Sequence, residues 1–336
     1  MYKRQGSDEE DRGDTWYTPC KTIGYVVGRA PDNSEILVGY DPSGSTTYNI
    51  TSQIEVNRRL KITSARYKQD NSYDTAQPDR DKCIISAGQN CRVFYVSKES
   101  TIRGFTIKSG KADNGGGVYL TAYKKLTLLD NLISDNQATD RGGGVYAGSN
   151  SILTLRGNIF KNNSATNSGG AVYMMATGSF RNNIFDSNSD KALYTTKQLQ
   201  PGDIRNNIFL NNSGYALYSS IGITVKNNCF YNNGVNYNSD VTSVDELLVD
   251  PKLNSDYTLQ CDSPCIEAGY DTYSYDEEEN HDKGWKADIG AKEYTGEHVR
   301  RYISSSDIGK ELVFGGQVRA KIKINSGTIE DGAYID

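Results

Sequence analysis

The stretch that decides the fold is FRNNIFDSN at residues 180–188, which returns as IRNNIFLNN at 204–212 and as VKNNCFYNN at 225–233. Residues 128–133 and 155–160 carry earlier copies of its first half. The shared asparagine recurs at steps of 27, 25, 24 and 21 residues: Asn131, Asn158, Asn183, Asn207 and Asn228. A second asparagine follows each of these after five residues: Asn136, Asn163, Asn188, Asn212 and Asn233. The constant offset and the varying steps indicate a repeat whose connecting loop changes length.

Each repeat also carries a short block that ends in an apolar residue followed by tyrosine. The tyrosines recur at steps of 27, 27, 21 and 24 residues: Tyr119, Tyr146, Tyr173, Tyr194 and Tyr218. An earlier, divergent copy of the repeat occupies residues 102–107, with Gly110 in the place of the second asparagine. Each repeat therefore offers at least two short strands separated by turns.

Short strands of this kind cannot bury their apolar side chains alone, but stacked repeats can. In a parallel stack each residue lies about 4.8 Å above its equivalent in the preceding repeat. Asparagine suits the turns because it tolerates left-handed backbone, and stacked amides can hydrogen-bond along the axis. Leucine-rich repeats would need regularly spaced leucines, and a β-propeller would need about 40 residues per repeat. The pattern therefore predicts an all-β protein, a right-handed parallel β-helix (solenoid) with an asparagine ladder.

The composition agrees with many short strands joined by tight turns, since the 336 residues include 33 Gly and 24 Tyr but only 3 Met. Apolar residues make up 36%, so a large conventional core is not expected. The net charge of −5 argues against a nucleic-acid partner. No apolar run approaches the ~20 residues that cross a bilayer, so no transmembrane segment is predicted.

Changes in pattern divide the chain into five predicted regions. Residues 1–5 are interpreted as a non-native scar, which would leave the native N-terminus and any export signal incomplete. Residues 6–100 are predicted to form an N-terminal cap and the first irregular coils. The regular coils follow at 101–235, and a closing segment at 236–295. Residues 296–336 alternate as antiparallel strands do and are interpreted as a short C-terminal β tail, the start of a truncated second β module.

Four stretches carry a resemblance to a known group of proteins: DTWYTPCKTI at 14–23, IRGFTIKSG at 102–110, DSPCIEAG at 262–269 and DIGAKEY at 288–294. They resemble the opening, coil and closing motifs of the right-handed parallel β-helix repeat proteins of bacterial and archaeal cell surfaces. The resemblance extends over roughly residues 6–295. The closing motifs are fairly specific to this surface group, whereas the coil pattern is specific only to the fold.

The resemblance implies a protein that is exported, extracellular or at the cell surface, and often attached to the envelope. Most members of the group have no assigned activity. The same fold also hosts polysaccharide lyases and glycosidases, so the fold alone does not decide between binding and catalysis.

One predicted surface feature is a column of cations, because the residue after the apolar start of each motif should point outward. The column consists of Arg156, Arg181, Arg205 and Lys226. Arg103 takes the same place in the divergent coil, and Leu129 interrupts the series. Arginine forks bind carboxylates, so the column is predicted to bind an acidic polysaccharide. The alternative is a solvated face whose charge is offset by neighbours such as Asp186 and Asp203.

The tyrosines form the second predicted surface feature. If the apolar residue before each tyrosine points inward, Tyr119, Tyr146, Tyr173, Tyr194 and Tyr218 form an outward column. Sugar rings pack on aromatic faces, so this column is a second candidate for glycan binding. The alternative is an aromatic ladder that only braces the stack.

Catalytic groups are poorly represented. The two histidines, His281 and His298, lie outside the repeats, and the coils show no recurring pair of carboxylates such as glycosidases use. A polysaccharide lyase could use Arg205 or Lys226 as its base, with calcium neutralising the uronate. These two residues are therefore the catalytic candidates if the chain is an enzyme.

No cofactor is predicted, with calcium left open. Asp276, Glu278 and Asp282 in an acidic loop are weak calcium candidates, since calcium prefers oxygen ligands, and the alternative is an ordinary solvated charge run. The six cysteines, an even number, fit disulfides in an exported protein. Buried free thiols, or zinc bound by the close cysteine pairs, are the alternatives.

Three hypotheses follow for function. The first is a non-catalytic exported or cell-surface protein that presents an extended face to polysaccharide or another envelope glycan. The second is a polysaccharide lyase or glycoside hydrolase acting on an acidic polysaccharide. The third is a rigid spacer in an envelope or sheath.

Overall fold

The computed structural model describes residues 22–67, 78–200, 202–270 and 287–292 together with Cys20. It also gives the backbone of short strands outside these ranges: Tyr2–Lys3, Tyr73–Asp74, Tyr302–Ile303, Glu311–Phe314, Val318–Lys321 and Ala333–Tyr334. The chain divides into two units, Met1–Glu293 and Tyr294–Asp336. None of the helices in the described residues is long and apolar enough to cross a membrane.

The first unit is a stack of parallel strands arranged in three long sheets and one short sheet. Sheet 1 contains these strands: Tyr2–Lys3, Ser34–Tyr40, Leu60–Tyr67, Ser100–Arg103, Lys125–Leu129, Ile152–Arg156, Thr177–Arg181, Ile204–Arg205, Ile223–Lys226 and Val241–Val244, with Tyr73–Asp74 paired antiparallel to Leu60–Tyr67. Sheet 2 contains these: Thr46–Asn49, Cys83–Ser86, Thr106–Lys108, Leu132–Ser134, Ile159–Lys161, Ile184–Asp186, Ile208–Leu210 and Cys229–Tyr231. Sheet 3 contains these: Ile54–Val56, Phe94–Val96, Val118–Leu120, Val145–Ala147, Val172–Met174, Leu193–Thr195, Tyr215–Ser219 and Val235–Tyr237. The short sheet contains Lys111–Asn114, Gln137–Arg141 and Ser164–Ala165. The predicted parallel β-helix is confirmed.

The stack extends beyond the residues predicted as regular coils. Ser34–Tyr40 pairs with Leu60–Tyr67, which in turn pairs with Ser100–Arg103, so the irregular coils before residue 101 stack in register with the later ones. One α-helix, Ile23–Arg29, precedes the first coil, and its residues Ile23, Val26 and Val27 are buried. Thr22 begins this helix, and its hydroxyl accepts a hydrogen bond from the Tyr25 N–H. The helix thus covers apolar surface at the start of the solenoid, where stacked coils expose a strand edge.

The interior of the stack contains an aromatic column. Phe160, Phe185, Phe209 and Phe230 occupy equivalent places in successive strands of sheet 2, with ring centroids 4.9, 4.7 and 5.0 Å apart and nearly parallel planes. All four rings are buried. Stacked rings at the strand spacing fill the space between the sheets continuously, which is how a chain with few apolar residues obtains a core.

The two asparagines of each repeat form two buried ladders, one on each side of sheet 2. In the first ladder Asn183 shows the pattern: its Nδ2 donates to Leu155 O at 3.0 Å and to Asn207 Oδ1 at 3.0 Å. Its Oδ1 accepts from the backbone N–H of Asn158 at 3.0 Å. Each side chain therefore links three coils, and the predicted asparagine ladder is confirmed for both asparagine series.

The left-handed residue of each turn is not the ladder asparagine itself. Positive φ occurs one residue earlier, as at Asp130 (56°), Asn182 (53°), Asn206 (56°) and Asn227 (48°). The expectation that the shared asparagine takes the left-handed conformation is therefore corrected by one position. The physical reason is that a ladder amide must point inward to reach its equivalents, while the preceding residue turns the chain.

The closing segment packs along the outer face of sheet 2. This face carries a column of mostly apolar residues: Thr106, Leu132, Ile159, Ile184, Ile208 and Cys229. Asn182 Nδ2 donates to Asp288 O at 2.9 Å, and the Gly290 N–H donates to Asn206 O at 2.9 Å. Tyr257 OH donates to Asp186 at 2.5 Å. The segment thus covers the later part of this column, at Ile184, Ile208 and Cys229.

The second unit contains two antiparallel strand pairs in the residues described. Glu311–Phe314 pairs with Val318–Lys321, and Tyr302–Ile303 pairs with Ala333–Tyr334. The first pair lies where the alternating pattern predicts antiparallel strands.

Candidate functional site

The predicted basic column lies in register on the outer face of sheet 1. Arg156 pairs with Arg181, Arg181 with Arg205, and Arg205 with Lys226. Each side chain is half-buried. Leu129 separates these four cations from Arg103, as the sequence predicts. Parallel strand spacing places successive charges about 4.8 Å apart, a distance at which like charges repel.

An ion-pair cluster lies at the first end of the column. Arg103 Nε donates to Asp130 Oδ2 at 3.0 Å. Arg80, which is buried, donates through Nη1 to Gly157 O at 2.6 Å. Burial raises the pKa of Asp130, and the nearby Arg103 and Arg80 oppose this shift. Burial likewise lowers the pKa of Arg80. Asp130 thus binds Arg103 directly, while Arg80 and Arg156 act on its carboxylate through their charge.

Tyr270 covers the other end of the column. Lys226 Nζ lies 4.6 Å and Arg205 Cζ lies 5.5 Å from the centroid of its ring. The Tyr270 N–H donates to Asn206 Oδ1 at 2.9 Å, which fixes the backbone, while half of the side chain (50%) stays exposed. Arg205 Nη1 also donates to Gly202 O at 3.0 Å. The two lyase candidates thus lie against an aromatic ring, an arrangement typical of cation–π contact.

The basic column lies beside a raised edge that other segments of the chain form along sheet 1; this edge and the adjoining face of sheet 1 are called the step. The residue after each cation lies at the corner between sheets 1 and 2, and these corners are covered by other segments: Gly104 by Pro78, Gly157 by Arg80, Asn182 by Asp288, and Asn206 by Tyr270. The covering segments therefore form a wall beside the outer face of sheet 1. The cations lie where this wall meets the sheet.

A column of hydroxyl side chains lies next to the basic column on the same face of sheet 1. Thr101, Thr127, Thr154 and Ser179 lie in register two residues before Arg103, Leu129, Arg156 and Arg181 on the same face, and Thr224 pairs with Thr242 further along. Asp203 interrupts these hydroxyls two residues before Arg205. Hydroxyls donate and accept hydrogen bonds, so the step combines cations with neutral groups that match sugar hydroxyls. The alternation along each strand carries this signal in the sequence, which the cation pattern alone does not reveal.

The tyrosines form a continuous stack on the outer face of sheet 3. Tyr95, which the sequence analysis missed, begins the stack, and its apolar neighbours Phe94 and Val96 were the available signal. The centroid distances from Tyr95 through Tyr119, Tyr146, Tyr173 and Tyr194 to Tyr218 are 5.3, 4.9, 5.6, 5.0 and 5.1 Å. At these distances no sugar ring fits between two tyrosines. Interior rings therefore offer only their edges and hydroxyls to a ligand.

Cations flank the tyrosine stack. Arg92 Cζ lies 4.9 Å from the centroid of Tyr119, Arg141 Cζ lies 5.1 Å from that of Tyr173, and Lys191 Nζ lies 5.4 Å from that of Tyr218. Tyr146 and Tyr173 are buried. These contacts favour the alternative in which the ladder braces the stack of coils, with glycan binding at its edge still a prediction.

The buried tyrosines predict an alkaline limit to stability. Burial raises the pKa of Tyr146 and Tyr173, so the fold favours the neutral phenol. This contribution is present below the unfolded-state pKa of about 10 and is lost as pH rises through the higher folded-state value. We expect the Tyr146→Phe/Tyr173→Phe double variant to lose less stability than wild type above about pH 10. Denaturation midpoints at a series of pH values measure this effect.

The control for this experiment is Tyr123→Phe, because the Tyr123 side chain is exposed. That variant should keep the wild-type dependence on pH. If Tyr123→Phe and the double variant changed the slope of stability against pH by the same amount, the prediction would be contradicted.

In the part of the chain that is described, neither metal-binding side chains nor cysteines form a further candidate functional site. Among those residues, no three His, Cys, Asp or Glu side chains lie close enough to hold a metal ion. Asp276, Glu278 and Asp282 lie outside the described residues, so calcium binding there stays a prediction. All six cysteines are separate thiols, and Cys20, Cys83, Cys229 and Cys265 are buried.

Comparison with known proteins gives a family match for part of the chain. A family model described as a right handed beta helix region matches residues 92–246. Among solved structures, the crystal structure of pectate lyase Pel9A is similar with 11% sequence identity and a TM-score of 0.38, covering 87% of this chain and 96% of that one. No curated protein matches the chain. Residues 92–246 are thus similar to the right handed beta helix family, and the described strands from Ser34 to Val244 form an all-β parallel β-helix.

Proposed function

We propose that the chain is a non-catalytic, exported or cell-surface protein that binds an acidic polysaccharide along the step on sheet 1. The observation that carries the proposal is the in-register series Arg156, Arg181, Arg205 and Lys226 at the foot of a wall. A periodic row of cations suits a ligand whose negative charges are also periodic, as in a uronic-acid polymer. The adjacent hydroxyl column supplies partners for the sugar hydroxyls.

Electrostatics supports an anionic ligand at this face. Four half-buried cations in register repel one another, and carboxylates that bind between them relieve that repulsion while forming charge-assisted hydrogen bonds. Asp203, which the sequence analysis offered as a neutralising neighbour, uses its carboxylate to accept the Gln200 N–H at 2.8 Å. Asp186, the other such neighbour, lies on sheet 2 and accepts from Tyr257.

Arg156 and Arg181 form the part of the column between the Arg80 cluster and Tyr270. We expect the Arg156→Gln/Arg181→Gln double variant to bind polygalacturonate about 10- to 100-fold more weakly than wild type, because each change removes charge-assisted bonds to carboxylates. Affinity electrophoresis or calorimetry at low and moderate salt measures the change. Added salt should weaken wild-type binding, since it screens exposed charges.

Two matched controls accompany this experiment. Lys108→Gln/Lys111→Gln removes the same charge from strands of sheet 2 and the short sheet, and it should leave the affinity nearly unchanged. Methyl-esterified polygalacturonate keeps the sugar backbone but masks the carboxylates, and it should bind poorly. Equal binding of both polymers, or equal loss in both double variants, would contradict a carboxylate-binding column.

The alternative is a polysaccharide lyase that uses Arg205 or Lys226 as its base. The observation that favours this alternative is that the two side chains lie in adjacent coils beside an exposed aromatic ring. Against it, the Tyr270 ring covers both cations, and Arg205 already donates to Gly202 O. Incubation of uronate polymers with the protein, with and without calcium, distinguishes the two functions. New unsaturated ends that are lost in Arg205→Ala/Lys226→Ala would establish the lyase.

A further inference from the structure

Two thiols from different parts of the chain meet beneath the closing segment. Cys229 belongs to the strand Cys229–Tyr231 of sheet 2, and Cys265 belongs to the DSPCIEAG stretch that packs on that sheet. Both side chains are 0% exposed. Cys229 Sγ lies 3.4 Å from Val249 O, where the chain leaves the stack. Ser263, two residues before Cys265, donates to Pro251 O at 2.6 Å, and Val249 lies two residues before Pro251, so both thiols lie in the same buried region.

The backbone around Cys265 is held on both sides. The Ile289 N–H donates to Cys265 O at 2.9 Å, and the Cys265 N–H donates to Ser263 Oγ at 3.2 Å. Ser263 Oγ in turn donates to Pro251 O at 2.6 Å. These bonds hold Cys265 against sheet 2, so both thiols belong to the packed interior of this interface.

We propose that Cys229 and Cys265 form an intrachain disulfide that fastens the closing segment to sheet 2 when the chain matures in an oxidising environment. Neither the even number of cysteines nor their spacing identifies this pair, because the partners are separated by the whole last coil. The proposal does not depend on polysaccharide binding.

The oxidant in this step is a small-molecule disulfide such as oxidised glutathione. The thiolate of one cysteine attacks it, forming a mixed disulfide and releasing one reduced thiol. The thiolate of the second cysteine then attacks the protein sulfur of the mixed disulfide and releases the second reduced thiol. Two cysteine thiols are oxidised, one glutathione disulfide is reduced, and the two protons go to the released thiols.

Burial in the packed interface determines the stage of folding at which the Cys229–Cys265 disulfide forms. The hydrogen bond with Cys229 and burial raise the pKa of Cys265, so thiolate is scarce once the segment has docked. Oxidation is therefore expected while the segment docks, and the finished bond is then shielded from reductants. The four remaining cysteines serve as internal comparisons, since Cys261 is exposed only four residues before Cys265.

The test is to refold the full chain with oxidised and reduced glutathione, block remaining thiols, and map the linked peptides by mass spectrometry without reduction. The expected result is a Cys229–Cys265 peptide pair with the loss of two hydrogen atoms per chain. It should persist in the Cys261→Ser variant and be absent in Cys265→Ser. Two results would overturn the proposal. One is a dominant link between other cysteines. The other is that Cys229 and Cys265 both carry the blocking group under conditions in which glutathione oxidises the accessible cysteines.

A second measurement uses the wild-type chain, so its result does not depend on whether the variants fold. Hydrogen exchange of the wild-type chain is compared before and after reduction with a phosphine. Reduction should speed exchange in the closing segment at 249–270 while the coils at 126–160 stay unchanged. Equal exchange in both states would overturn the role of the bond in fastening the segment.

Discussion

Replacement of Asn163 by alanine is expected to lower the free energy of unfolding by about 3–5 kcal/mol, because it leaves several buried polar groups without partners. Asn163 is buried, and its Nδ2 donates to Ile133 O at 2.8 Å and to Asn188 Oδ1 at 3.1 Å. Its Oδ1 accepts from the N–H and from Nδ2 of Asn136, at 3.2 and 3.0 Å. Urea denaturation followed by circular dichroism measures the loss.

The neighbouring residue provides the control for this prediction. Asn162 is exposed and has a φ of 53°, a conformation that glycine adopts without steric cost. Asn162→Gly should therefore change the stability by less than about 0.5–1 kcal/mol. If the two substitutions cost the same, the hydrogen-bond ladder is not what stabilises the coil.

The columns could be predicted from the sequence because stacking is a local property of the repeat. Once two coils are aligned at their asparagines, strand alternation determines which side chains lie above one another. Arg156 over Arg181 and Tyr146 over Tyr173 follow in this way, and both registers are present. The stacking of the tyrosine rings on one another was also accessible in principle, since strand spacing is close to the ring separation of aromatic pairs.

The surroundings of the basic column could not be predicted in the same way. Asn182 contacts Asp288 across 106 residues, and Tyr270 contacts Asn206 across 64. The closing segment has no repeat, so nothing in its periodicity aligns it with a particular coil. Only the apolar outer column of sheet 2, including Ile184 and Ile208, gave a signal, because an outward apolar column needs a cover.

This division has a consequence for the candidate site. The repeat supplies the cations and most of the hydroxyls, but the non-repeating segments supply the wall and Tyr270. Under the proposed function, the wall and Tyr270 decide how much of the column the polymer reaches. The corner residue also matters, because Arg80 donates a hydrogen bond to the backbone of Gly157 there. Specificity for one polymer is therefore expected to depend more on the closing segment than on the coils, whose face is nearly uniform.

Replacement of Phe185 by alanine is expected to lower the free energy of unfolding by about 3–5 kcal/mol, because it opens a cavity in the middle of the aromatic column. Phe185 is fully buried, with ring centroids 4.9 Å from Phe160 and 4.7 Å from Phe209. Phe185→Leu fills most of the volume and should cost much less, about 1–1.5 kcal/mol, so the difference between the two variants isolates the cavity. Thermal and urea denaturation of both variants measure the change. Equal losses would mean that the column stabilises the fold through ring stacking rather than through filled volume.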